Sequence, residues 1–145
     1  MNFCNKFFPL LLLFAFNISA DELTINISGQ TKEGVLSLAI YDNAEAYNYS
    51  VKGEKRSEKG IFSGIESFIE LKEIHEFVID LPEGVYAIAL FVDANKNLKI
   101  DKNFLGIPKE QFGFSNNAMG KLSAPSFEQA KFEVRGDTLQ NIKLK

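Results

Sequence analysis

The chain has 145 residues, with 16 basic and 19 acidic side chains, one histidine, one cysteine and no tryptophan. A net charge of −3 argues against nucleic acid as the main partner, because affinity for a phosphate backbone rests on clustered cations. A single histidine excludes a multi-histidine metal site within one chain, and a single cysteine, Cys4, excludes an internal disulfide.

Met1–Lys6 carries one positive charge, Phe7–Phe16 is an apolar run interrupted by Pro9, and Asn17–Ala20 is polar and small. This is the layout of a cleavable secretory signal, and the apolar run is too short to span a bilayer. Cleavage is expected after Ala20. It removes Cys4 and leaves residues 21–145 as one domain, periplasmic or secreted, with 15 basic and 19 acidic side chains. A domain of this size buries roughly two-thirds of its unfolded surface, enough to stand without disulfides.

Leu23–Ser28 alternates apolar and polar residues and predicts a half-buried strand. Gly29–Gly34 reads as a turn, and Val35–Tyr41 as a second, more apolar strand. Asp42–Ser50 suits a short helical turn, and the mixed charges of Lys52–Gly60 suit a solvated loop. Ser67–Leu71 and His75–Leu81 are further strands. In the latter, His75, Phe77, Ile79 and Leu81 share one face, while Glu76 and Asp80 take the other. Leu81–Gly84 has turn chemistry, and Val85–Val92 is apolar enough to be buried on both faces. Residues 102–130 form a long connection, and Lys131–Arg135 and Thr138–Lys145 close the chain as strands. About seven short strands joined by turns indicate an all-β chain. The expected architecture is a single antiparallel β-sandwich, Ig-like or transthyretin-like, with one long Phe/Asn-rich loop.

Three segments carry a resemblance. They are Leu81-Pro82-Glu83-Gly84-Val85-Tyr86-Ala87 leading into Phe91-Val92-Asp93, the loop Asp93–Asp101, and Gly106-Ile107-Pro108 through Asn117-Ala118, continuing to Phe132. Together they resemble the bacterial domain of unknown function 2141 family, over essentially all of residues 22–145. The resemblance implies an exported β-sandwich, similar to transthyretin-like and carboxypeptidase-regulatory modules, and implies no activity. It also implies glycines where this chain has Lys96 and Leu98.

Asp93, Asn95, Asn97 and Asp101 fall at alternate positions of an EF-hand-like loop, with Lys99 offering its backbone carbonyl. Calcium takes six to eight oxygens, and this spacing wraps donors around one centre. Leu98 stands where such a loop has glycine, and Phe104 where it has a bidentate glutamate; Glu110 is a candidate for the missing ligand. The competing reading is a turn whose Asp and Asn side chains bond their own backbone. In the long connection, Phe112, Phe114, Asn116 and Asn117 are candidates for binding a peptide, glycan or protein partner, with stacking rings and amide donors. The competing reading has the rings plug one end of the sandwich, with the asparagines serving buried backbone. No catalytic residues are assigned. His75 reads as a structural histidine, and a carboxylate-based hydrolase would draw on Asp93, Asp101, Glu110 and Glu128.

Overall fold

A computed structural model describes residues 20–52 and 60–145. The signal-peptide reading, and all but the ends of the loop read at Lys52–Gly60, lie outside the described residues. In chain order the elements are β1 (Asp21–Ser28), β2 (Gly34–Tyr41), α1 (Ala44–Lys52), β3 (Ser63–Ile69), β4 (Ile74–Leu81), β5 (Gly84–Asp93), β6 (Phe112–Phe114), α2 (Phe127–Ala130), β7 (Phe132–Val134) and β8 (Thr138–Lys143). A 3-10 turn, Ser115–Asn117, follows β6.

The strands form two layers. One sheet has the order β4-β1-β8; the other has the order β3-β2-β5-β6, with β7 also paired to β5. The all-β sandwich is therefore present, with two differences from the expectation. There are eight strands among the described residues, and β1 pairs with β8 in parallel, Leu23 opposite Thr138 through Ser28 opposite Lys143. The remaining named pairings are antiparallel.

Alternation along the strands builds the core. Leu23, Ile25 and Ile27 of β1 face Leu36, Leu38 and Ile40 of β2 and Tyr86, Ile88, Leu90 and Val92 of β5. The other face of the larger sheet is buried too. Ala39, Tyr41 and Ala87 lie beneath Tyr47 of α1 and Phe127 and Ala130 of α2, with Phe114 beside them. Alanines at these sheet positions leave room for the rings above them, which meet edge-on (Tyr47 to Tyr41 at 5.6 Å and to Phe127 at 5.8 Å between centroids). Burial of β5 on both faces thus follows from helices packing on the outside of the sheet.

Local chemistry starts each helix. The Asn43 side chain accepts the Ala46 N–H (3.0 Å) at the head of α1. Gln129 accepts the Ser126 N–H (2.9 Å) at the head of α2, and Asn48 of α1 accepts the Phe127 N–H (3.1 Å), tying the two helices together.

β5 is flanked on one side by two half-strands. β7 pairs with Gly84–Tyr86 and β6 with Ala89–Phe91. Fully buried Ser115 fills the seam between them. Its hydroxyl accepts the Ile88 N–H (2.9 Å) and donates to the Ala130 carbonyl (2.5 Å). The connection read as one loop over residues 102–130 therefore contains a small hairpin, β6, the 3-10 turn and α2. β3 also begins earlier than the expected Ser67, and the expected helical turn runs on to Lys52 as α1.

Candidate metal site

β5 carries Asp93 to the end of the sheet. Gly34 opens β2 directly against it: a Cβ on Gly34 would lie 2.5 Å from the Asp93 carbonyl oxygen, so only glycine permits this approach. Asp93 is buried, and its two carboxylate oxygens accept the N–H groups of Asn97 (3.2 Å) and Leu98 (2.7 Å). The chain thereby curls back around the Asp93 carboxylate. Asn95 and Asn97 each donate a side-chain N–H to Asp101 Oδ2, at 2.5 and 2.9 Å. Their own amide oxygens accept the N–H groups of Asn97 and Lys99 (3.1 Å each). To close this ring, Lys96 and Leu98 adopt left-handed backbone, with φ of 61° and 62°. These are the two positions where the family resemblance implies glycine.

Glu110 reaches the same centre from across the hairpin. Lys109 N–H donates to the Asp101 carbonyl (2.8 Å), and Glu110 Oε2 accepts the Asp101 N–H (2.9 Å). Glu110 is 8 % exposed, and its Oε1 is buried with no hydrogen-bond partner. Burial pushes its carboxyl above the usual range; the Asp101 N–H opposes this, while the charges of Asp93 and Asp101 and a carboxyl–carboxyl hydrogen bond with Asp93, which holds a proton between the two groups, add to it. The structure therefore brings together Asp93, Asn95, Asn97, Lys99 and Asp101, and adds Glu110. Among the described residues no three acidic, histidine or cysteine side chains form a grouping ready to hold an ion. The arrangement has a different composition. Positive ends of amide dipoles point at Asp93 and Asp101, and one oxygen of Glu110 is left without any.

The second group of candidates divides. Phe112 and Phe114 line a groove on the outer face of the larger sheet, with Tyr41 and Phe91 as further aromatic walls over Ala39 and Ala89. The space there is about 80 Å³, well below the ~300 Å³ of an ordinary small-ligand pocket. Asn116 and Asn117 are not among its walls. The Asn116 amide donates to the carbonyls of Ala130 (3.2 Å) and Lys131 (2.7 Å). Asn117 donates to the Asn141 carbonyl (2.8 Å) and accepts the Lys143 N–H (2.7 Å). Both lie at positive φ, 57° and 50°, a conformation asparagine tolerates better than most residues. They pin the 3-10 turn to β8 and to the end of α2.

His75 is half-buried, with Nε2 2.6 Å from the Gln30 amide oxygen. Glu128 forms an exposed ion pair with Lys131 (2.6 Å), separate from the cluster of Asp93, Asp101 and Glu110. Two residues unremarked in the sequence also hold this end together. Gln111 accepts the Thr31 N–H (2.6 Å) and donates to the Gly29 carbonyl (2.9 Å), clipping the β1–β2 turn. Asn103 closes the hairpin that brings Glu110 back. An Asn ahead of a Gly-containing turn is the local signal for the latter; nothing local marks Gln111.

Among the described residues no helix is long and apolar enough to cross a membrane. Comparison with curated proteins and with solved structures finds no match. A family model does match residues 25–143, which hold β2 to β8, half of β1 and the whole Asp93–Glu110 site, and the chain accordingly belongs to the family described as an uncharacterized protein conserved in bacteria, DUF2141.

Proposed function

We propose that this chain is an exported, non-catalytic binding module of the cell envelope whose Asp93–Asp101 loop holds a calcium ion. The observation that carries this reading is the Glu110 carboxyl, buried against the Asp93 carboxyl with no N–H donor to its Oε1. Two carboxyl groups buried side by side must share a proton or a cation, and an ion beside Glu110 and Asp93 takes the proton's place. Asp93, Asn95, Asn97, Asp101, the Lys99 carbonyl and Glu110 supply the oxygen-rich set that calcium prefers, once the asparagine amides turn their oxygens inward. The ion fastens the loop to the hairpin that follows. Partner binding, to a peptide, glycan or protein, falls to the Phe112–Phe114 groove, whose 80 Å³ suits one apolar side chain.

A second reading, a purely structural sandwich, draws on the N–H groups already serving Asp93 and Asp101. Thermal melts of residues 21–145 in EDTA and in millimolar calcium separate the two. An ion at ~100 times its dissociation constant stabilises by ~2.7 kcal/mol, a rise of several degrees, and Asp93→Ala abolishes it. Superimposed curves with calcium and with magnesium make the loop a plain turn. A carboxylate hydrolase would instead lose turnover on Asp93→Asn with its fold and melting point kept.

A further inference from the structure

The hairpin that returns Glu110 to the loop has an unusual tip. Its base is a two-stranded ladder: Lys109 N–H to the Asp101 carbonyl, the Lys102–Pro108 bridge, and Asn103 N–H to the Ile107 carbonyl (2.9 Å). Its turn is closed by Asn103. The side-chain oxygen accepts the N–H groups of Leu105 (2.9 Å) and Ile107 (3.0 Å), and the main-chain carbonyl accepts that of Gly106 (2.9 Å). Gly106 has φ of 77°, and nothing lies within 4 Å of where its Cβ would be. The turn is thus held entirely by backbone and one asparagine. Its side chains play no part in holding it, and they are apolar: Phe104 is 94 % exposed, Leu105 68 % and Ile107 55 %.

Three consecutive apolar side chains broken only by glycine, held out to water by a rigid turn, are not a packing residue of the fold. Their surroundings identify what they meet. Lys102 and Lys109 stand at the base of the hairpin and Lys99 just before it, all exposed and none in an ion pair among the described residues. The one acid between them, Asp101, is occupied by the amides of Asn95 and Asn97. Glu110, next to Lys109, and Asp93 are buried, so the charges the hairpin shows to solvent are those of the lysines. An apolar tip above a collar of free ammonium groups matches the cross-section of an anionic bilayer, with acyl chains below and phosphates above.

We propose that the Phe104–Ile107 tip inserts into an anionic lipid surface, with Lys99, Lys102 and Lys109 at the headgroups. The inference does not rest on the ion reading, because the hairpin is closed by its own hydrogen bonds. Binding is therefore measured in EDTA.

The absence of tryptophan makes Phe104→Trp a single reporter at the tip. Its emission shifts to the blue, and the protein sediments, with phosphatidylcholine vesicles containing phosphatidylglycerol and not with phosphatidylcholine alone. In the unlabelled protein Leu105→Asp with Ile107→Asp lowers partition about a hundredfold or more, with the melting temperature kept. Each of Lys99→Gln, Lys102→Gln and Lys109→Gln lowers it about fivefold. The proposal is overturned by sedimentation that the double aspartate variant leaves unchanged, or by equal binding to neutral vesicles. It is also overturned by a blue shift that grows with protein concentration in the absence of lipid, which would make the tip a contact between copies of this chain.

Discussion

Glu110→Gln has opposite consequences with and without calcium. In EDTA, the wild-type protein buries the Glu110 carboxyl against Asp93 with no N–H donor to its Oε1, a defect of ~1–3 kcal/mol. Glutamine keeps the shape, removes one of three neighbouring negative charges, and offers an N–H to Asp93. The offsetting loss is at the Asp101 N–H, whose bond to Glu110 Oε2 becomes neutral and weakens by about 1 kcal/mol. The balance is stabilisation by about 1 kcal/mol, or roughly 4 °C for a domain near this size. In calcium the order reverses. The wild type gains ~2.7 kcal/mol at ~100 times the dissociation constant, while the variant lacks the third carboxylate and gains little. Differential scanning calorimetry in both buffers reads the crossing directly. A variant less stable than wild type in EDTA would show that Glu110 Oε1 is not an unpaired group. Equal calcium gains in the two proteins would remove Glu110 from the site.

Three further outcomes follow from the geometry. Leu98→Gly releases a left-handed strain of ~1–2 kcal/mol and loses up to ~1 kcal/mol through the freer unfolded chain, so the urea midpoint rises slightly with an unchanged slope; a fall in the midpoint would contradict this. Ser115→Ala strands the buried Ile88 N–H and the Ala130 carbonyl and lowers stability by ~2–3 kcal/mol, with hydrogen exchange of Ile88 accelerated ahead of Leu36 and Leu38. Tyr47→Phe removes a buried hydroxyl with no partner and raises the melting temperature, by ~1 kcal/mol of stability; a decrease would reveal a bond to that hydroxyl.

The strands most legible in the sequence are those whose two faces differ or whose faces are both apolar. β1 alternates because one face lies on the core, and β5 is continuously apolar because helices cover its second face. The start of β3 is hard to read because only Ile69 in it is buried, which leaves almost no pattern. β6 is three residues long, too short to alternate, and α1 buries only Tyr47 completely, so its helical period is faint. The parallel pairing of β1 and β8 depends on packing between distant parts of the chain, and no local pattern encodes it. The same distinction governs the site. Asp93 to Asp101 are close in sequence, so their spacing alone shows a ring of donors. Glu110 was nameable as a carboxylate, but its place is set by the Asn103 turn. Leu98 stands at a glycine position of the loop pattern, and the backbone there does take the glycine-like conformation, with leucine bearing the strain.

The parallel ladder between β1 and β8 also bears on when this protein can fold. Asn26 and Asn141 are hydrogen-bonded neighbours separated by 115 positions in the chain. β1 lies between β4 and β8, so the smaller sheet lacks one side until the last strand has been made. Closing so long a loop comes late and slowly. A chain emerging amino-terminus first must therefore hold β1 with an unsatisfied flank while the other strands assemble. Until β8 arrives, the free edge of β1 is open to pairing with a strand of another chain.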